Sequence, residues 1–103
     1  MAERFKVYVD PILEPIMPRY LELRHQEQAQ LTAAIAAQDS GTVSTLGHRL
    51  KGSGASYGFK DLTEMGAELE QAGKDGDFAR ASQLAARVQE YLDNMELVYE
   101  GEL

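Results

Sequence analysis

The chain has 103 residues and a formal net charge of −7, which suits one domain built round one core. It contains no cysteine, so a disulfide scaffold, a thiolate zinc site and cysteine catalysis are excluded, and a reducing compartment such as the cytoplasm fits. The acidic balance argues against nucleic acid, whose non-specific binding rests on lysine and arginine meeting phosphates; no apolar run approaches the roughly 20 residues of a membrane helix, and the N-terminal stretch carries charges and a proline where a signal peptide is apolar.

The chain is rich in alanine, leucine, glutamate and glutamine, a composition that favours helix, and no segment alternates well enough to read as a strand. Breaks fall at Asp39-Ser40-Gly41, around Tyr57-Gly58 and at Lys74-Asp75-Gly76-Asp77. They leave four helical segments with short connections, which predicts an all-α, antiparallel up-down-up-down four-helix bundle spanning residues 1–103 as a single domain. A short separate helical turn, Asp10 to Leu13, opens it, with Asp10 as cap and Pro11 after it. The first helix follows from about Pro15 to Gln38; Pro15 and Pro18 are tolerable at its start, where backbone N–H groups have no helical partner. Tyr20, Leu23, Glu27, Leu31 and Ala34 share one side of it, with Ile35 on the flank and Glu27 at the edge of the stripe. The second helix runs from about Ser40 to Ser56 and buries Val43, Leu46, Leu50, Ser53, Gly54 and Tyr57. The third, from about Phe59 to Lys74, buries Phe59, Leu62, Met65, Gly66, Leu69 and Gly73, with Ala72 beside them. Asp77 caps the fourth, where Ala81, Ala85, Val88, Leu92, Met95 and Tyr99 repeat at helical steps to about Tyr99, and the tail from Glu100 is frayed. Gly54 and Gly66 lie on buried faces and serve close helix packing. Met17, Met65 and Met95 read as core filler, and no second histidine or carboxylate cluster has metal-ligand spacing.

One residue does not fit the apolar stripes. With Leu46 set at 0° on the second helix, His48 lies at about 200°, away from the core, with Ser44, Lys51, Gly52 and Ala55 between about 140° and 240°. Apart from the lysine, its neighbours are small. Glycine inside a helix costs roughly 1 kcal/mol relative to alanine, and an outward-facing position gains no internal packing in return. A lone exposed histidine is ordinary surface, and His25, with no Lys-Gly after it, is read that way. His48 differs because lysine follows at +3 and glycine at +4. An imidazole is a nucleophile near neutral pH, a lysine offsets phosphoryl charge, and the glycine clears space for a second protein.

The stretch Leu46 to Asp77, "LGHRLKGSGASYGFKDLTEMGAELEQAGKDGD", resembles the histidine-containing phosphotransfer domain of bacterial two-component phosphorelays. The matching positions are His48, Leu50, Lys51, Gly52, Ser53, Gly58-Phe59, Leu69-Glu70 and Ala72. The resemblance implies that His48 is the phospho-acceptor, taking a phosphoryl group from a receiver-domain aspartyl phosphate and passing it to another. It implies that Lys51 stabilises the phosphoryl group, that Gly52 lets the receiver close over the histidine, and that Glu70 contacts the other imidazole nitrogen and orients the ring. Ser44, Arg49 and Ala55 would join Gly52 in the docking face. The implied partners are response-regulator receiver domains, a hybrid histidine kinase, or both. No cofactor belongs to the chain itself; Mg²⁺ is expected in the receiver. With no P-loop and no ATP lid the chain is not expected to be an enzyme in its own right. It is expected to be a cytoplasmic, free-standing monomer, since four amphipathic helices can bury one another. Two other readings stay open at this point: the phospho-accepting module of a larger or chemotaxis-type histidine kinase, and a helical adaptor with no phosphoryl chemistry.

Overall fold

Aspartate side chains open three of the helical elements. In the computed structural model, which describes residues 5–99, Asp10 Oδ1 accepts from the Ile12 amide at 3.0 Å and starts a 3-10 turn over Pro11–Ile16. Asp39 accepts from the Thr42 amide at 3.1 Å and the Thr42 hydroxyl at 2.6 Å, starting α2 over Ser40–Tyr57. Asp77 accepts from the Arg80 amide at 3.0 Å and starts α4 over Phe78–Asn94. Each cap satisfies a donor that the first helical turn leaves open. The first helix, α1, spans Met17–Ala36, with Pro18 in its first turn. Helix α3, Lys60–Asp75, has no capping side chain; the residue before it, Phe59, is instead fully buried. Gly58 and Gly76 end α2 and α3 at φ of 83° and 65°, the left-handed caps that glycine adopts without a Cβ penalty. The turn before α1 begins where the sequence places it, at Asp10 and Pro11, but runs on through Pro15 to Ile16, so the long helix starts two residues later than expected.

The four helices form the expected bundle, and the chain ends add something the pattern did not predict. Phe5–Val9 is a strand, β1, and Met95–Tyr99 is a second, β2; they pair in parallel with Phe5 opposite Met95 and Val9 opposite Tyr99. The expectation that no segment forms a strand is thus corrected, and so is the run of the fourth helix to Tyr99, which stops at Asn94. The residues Lys6-Val7-Tyr8-Val9 do alternate, with Val7 and Val9 buried and Lys6 and Tyr8 exposed. Met95 and Tyr99 lie four apart, so they fit a helix stripe as well as one face of a strand, and a short apolar run is ambiguous in period. Pairing decides it: a parallel strand needs a long crossover, here the whole bundle. The segment Glu100 to Leu103, read as frayed, lies outside the described residues.

The core has two clusters. One gathers Met17, Tyr20, Leu50, Phe59, Leu62, Met65, Val88, Tyr91 and Leu92 with Val7 and Val9 from β1. The other joins Leu31, Ala34, Val43, Leu46, Leu69, Ala72, Ala81 and Leu84. On α4 the inward positions include Leu84 and Tyr91, which the predicted stripe omitted, while Ala85 is half-buried. On α1 the stripe is rotated: Arg24 and Gln28 are buried, while Leu23 is only half-buried. Both polar side chains reach across to a neighbour. Arg24 Nη1 donates to Ser53 Oγ at 2.6 Å and its Nη2 pairs with Glu27 at 3.1 Å, with the guanidinium over the Tyr20 ring. Gln28 Nε2 donates to the Ala85 carbonyl at 3.0 Å.

Helices α2 and α3 pack backbone against backbone. A Cβ on Gly66 would overlap the Lys51 amide and lie 2.8 Å from the Gly47 carbonyl oxygen; one on Gly73 would lie 2.5 Å from the Ser44 amide, and one on Gly54 2.8 Å from the Thr63 amide. Approach this close has no room for side chains on those positions. It brings short stretches of α2 and α3 into direct register, and the candidate site stands on that seam.

Candidate functional site

His48 projects from α2 beside the seam, its side chain 67% exposed. The residue before it, Gly47, is buried against α3: a Cβ there would overlap the Glu70 amide and lie 2.8 Å from Glu70 Cα. The backbone of Glu70 is therefore one residue's width from that of His48, and its carboxylate has only to turn outward to meet the ring. Glu70 Oε2 lies 3.1 Å from His48 Nδ1. Its other oxygen, Oε1, accepts from Lys51 Nζ at 2.9 Å, and Lys74 Nζ, one helical turn on along α3, stands 3.8 Å from Oε2. Glu70 is thus a largely covered carboxylate, 15% exposed, shared by an imidazole and two ammonium groups.

Those neighbours hold its carboxyl below the ordinary value of 4.5: the hydrogen bond from Lys51 leads, and the charges of Lys51, Lys74 and His48 add to it against the cost of burial. An ionised carboxylate only accepts. A neutral ring facing it donates from Nδ1, the assignment this contact favours, and that tautomer keeps the lone pair on Nε2.

The other positions sort as follows. A Cβ on Gly52 would meet nothing within 4 Å, so no internal contact requires glycine there. Arg49 and Ala55 are exposed on the same helix. Beyond Ala55 the surface runs into a shallow groove of about 260 Å³ lined by Gly54, Ala55, Gly58, Lys60 and Thr63. Ser44 is half-buried beside Gly73, in the seam rather than fully on the outer face. His25 is exposed on α1. Among the described residues no group of three histidines and carboxylates is placed to hold a metal ion. Two members of the site were not singled out from the sequence. Gly47 lies about 100° from Leu46, on the same side as Gly54, and Lys74 follows Glu70 by four, the spacing at which helical side chains meet.

A family model for the Hpt domain matches residues 18–97. The chain belongs to the Hpt domain family. The match takes in α1 through α4 and reaches into β2, and β1 and the 3-10 turn precede it. Neither the curated proteins nor the solved structures compared with it gave a significant match. An Hpt domain is a phosphotransfer module of phosphorelays, so phosphohistidine signalling in a two-component pathway is the context of this protein. No helix among the described residues is long and apolar enough to cross a membrane.

Proposed function

We propose that this Hpt domain accepts a phosphoryl group on Nε2 of His48 from the aspartyl phosphate of a receiver domain, and hands it to a second receiver. The observation that carries the reading is the Glu70 carboxylate on Nδ1, 3.1 Å away. Attack by the Nε2 lone pair forms the N–P bond while the P–O bond to the receiver's aspartate breaks and its electrons return to that carboxylate. The ring keeps its Nδ1 proton and becomes cationic, and Glu70 stabilises that cation. Return transfer reverses each step. Lys51, anchored three residues after His48, supplies an ammonium to the phosphoryl oxygens. Gly52 leaves the space into which the receiver's active-site rim closes, and Arg49 gives a basic spot to meet an acidic pocket. Mg²⁺ and that acidic pocket belong to the receiver. In this reading the protein works in the cytoplasm, as a monomer, and has no kinase activity of its own.

The test is transfer from a ³²P-labelled phosphoreceiver. Acid-labile, alkali-stable label on the wild type, absent from His48→Gln, is expected. No transfer from any of several receivers to a folded protein would overturn the reading, and label arriving only from an ATP-bound kinase would favour a kinase-fed module. Gly52→Gln is expected to impair transfer with little change in stability. Lys51→Ala is expected to slow transfer or shorten the life of the phosphohistidine.

A further inference from the structure

Lys51 has two anions to serve. At rest its ammonium is hydrogen-bonded to Glu70 Oε1 at 2.9 Å. In the proposed reaction it turns to the phosphoryl group, whose oxygens are strong charge-assisted acceptors. That leaves Glu70, 15% exposed, without its strongest partner at the moment its charge is needed beneath the imidazolium. Lys74 stands ready for the vacancy. Its Nζ is 3.8 Å from Glu70 Oε2, a charge contact just beyond hydrogen-bond reach. Its side chain is 60% exposed, and it rises from the same helix as Glu70, so the contact does not depend on the packing of α2 against α3.

We propose that Lys74 is a positioning residue that holds the Glu70 carboxylate while Lys51 moves to the phosphoryl group on His48. The proposal rests on His48 being the phospho-acceptor. In this role Lys74 acts by releasing Lys51 rather than on the phosphoryl group or the ring. Without it, Lys51 is the single ammonium on Glu70 and leaves it less readily.

Phosphoramidate isolates this step from any partner protein. Its P–N bond breaks, ammonia leaves, and the phosphoryl group forms the bond to His48 Nε2. Lys74→Gln is expected to slow phosphohistidine formation about two- to fivefold, the range of a partly exposed ion pair, and Lys74→Arg to restore it. In a Lys51→Ala background the same Lys74→Gln change is expected to leave the rate alone, because there is no Lys51 to release. Equal slowing in both backgrounds would mean that Lys74 acts directly or structurally and would overturn the proposal, as would an unchanged rate for Lys74→Gln alone. A carbon-13 titration of the unphosphorylated protein reads the contact without any chemistry: the Glu70 midpoint is expected to rise in Lys74→Gln, and an unmoved midpoint would overturn the proposal while leaving the role of His48 intact. A chain whose His48 takes no phosphoryl group from phosphoramidate or from receivers overturns both readings.

Discussion

Glu70 is the residue through which sequence, packing and chemistry meet. Its partners hold its carboxyl low in the folded protein, so its stabilising contribution is present above the unfolded value, near 4.5, and is lost as the pH falls through the lower folded value. Urea unfolding of the wild type is expected to show a midpoint that drops as the pH falls from near 4.5, and Glu70→Gln is expected to flatten part of that drop. Parallel acid profiles for the two proteins would show that Lys51, Lys74 and His48 do not stabilise the carboxylate. Read in one dimension, Glu70 is separated from Glu64 and Glu68 by the match to a family pattern and by a helical angle of about 80° from Leu62, which puts it on the flank of α3 while the other two lie further round. The structure separates them by surroundings: Glu64 is exposed, and Glu68 meets Arg80 and Arg87 on the side of α4.

At the scale of elements, the pairing of α2 with α3 is the device that builds the site. Glycines at 47, 66 and 73 set the distance, and that distance places Glu70 beside His48 and Lys51. Gly66→Ala is expected to destabilise the fold by about 1–3 kcal/mol, because the added methyl meets backbone that cannot rotate aside. Gly52→Ala is expected to act in the opposite sense, raising stability by about 0.5–1 kcal/mol through helix propensity alone. Urea midpoints give both signs, and a loss of stability in Gly52→Ala would mean that this glycine has a structural duty. The inward placing of Gly54 and Gly66 and the outward placing of Gly52 were legible from helical angles. What stands against Gly47 was not, because the residue opposite it is set by the neighbouring helix.

Across the whole molecule, β1 and β2 tie the two ends of the chain together, and Val7 and Val9 join the cluster around Tyr20, Phe59 and Tyr91. Val9 is almost fully buried. Val9→Ala is expected to cost about 1–3 kcal/mol, from lost burial and the cavity left behind, whereas Lys6→Ala, on the outward face, is expected to cost well under 1 kcal/mol. Equal small losses at both positions, measured by chemical denaturation, would mean that the strand pair adds nothing to the closed bundle. The strands escaped the sequence pattern because five residues of alternation carry little signal and the partner of each strand among the described residues is some ninety positions away.

Local chemistry determined much in advance. Aspartate caps and glycine stops delimit the helices, apolar spacing makes four amphipathic segments, and the His48-Lys51-Gly52 cluster stands off the buried stripe; all of these depend on residues within one or two helical turns of one another. Contacts between distant segments were settled only in three dimensions: the strand pair, the inward turn of Arg24 and Gln28, the place of Gly47 against Glu70, and the second lysine on that carboxylate. Each depends on how two elements sit against each other, and a helical period specifies which face a residue occupies but not what will stand opposite it.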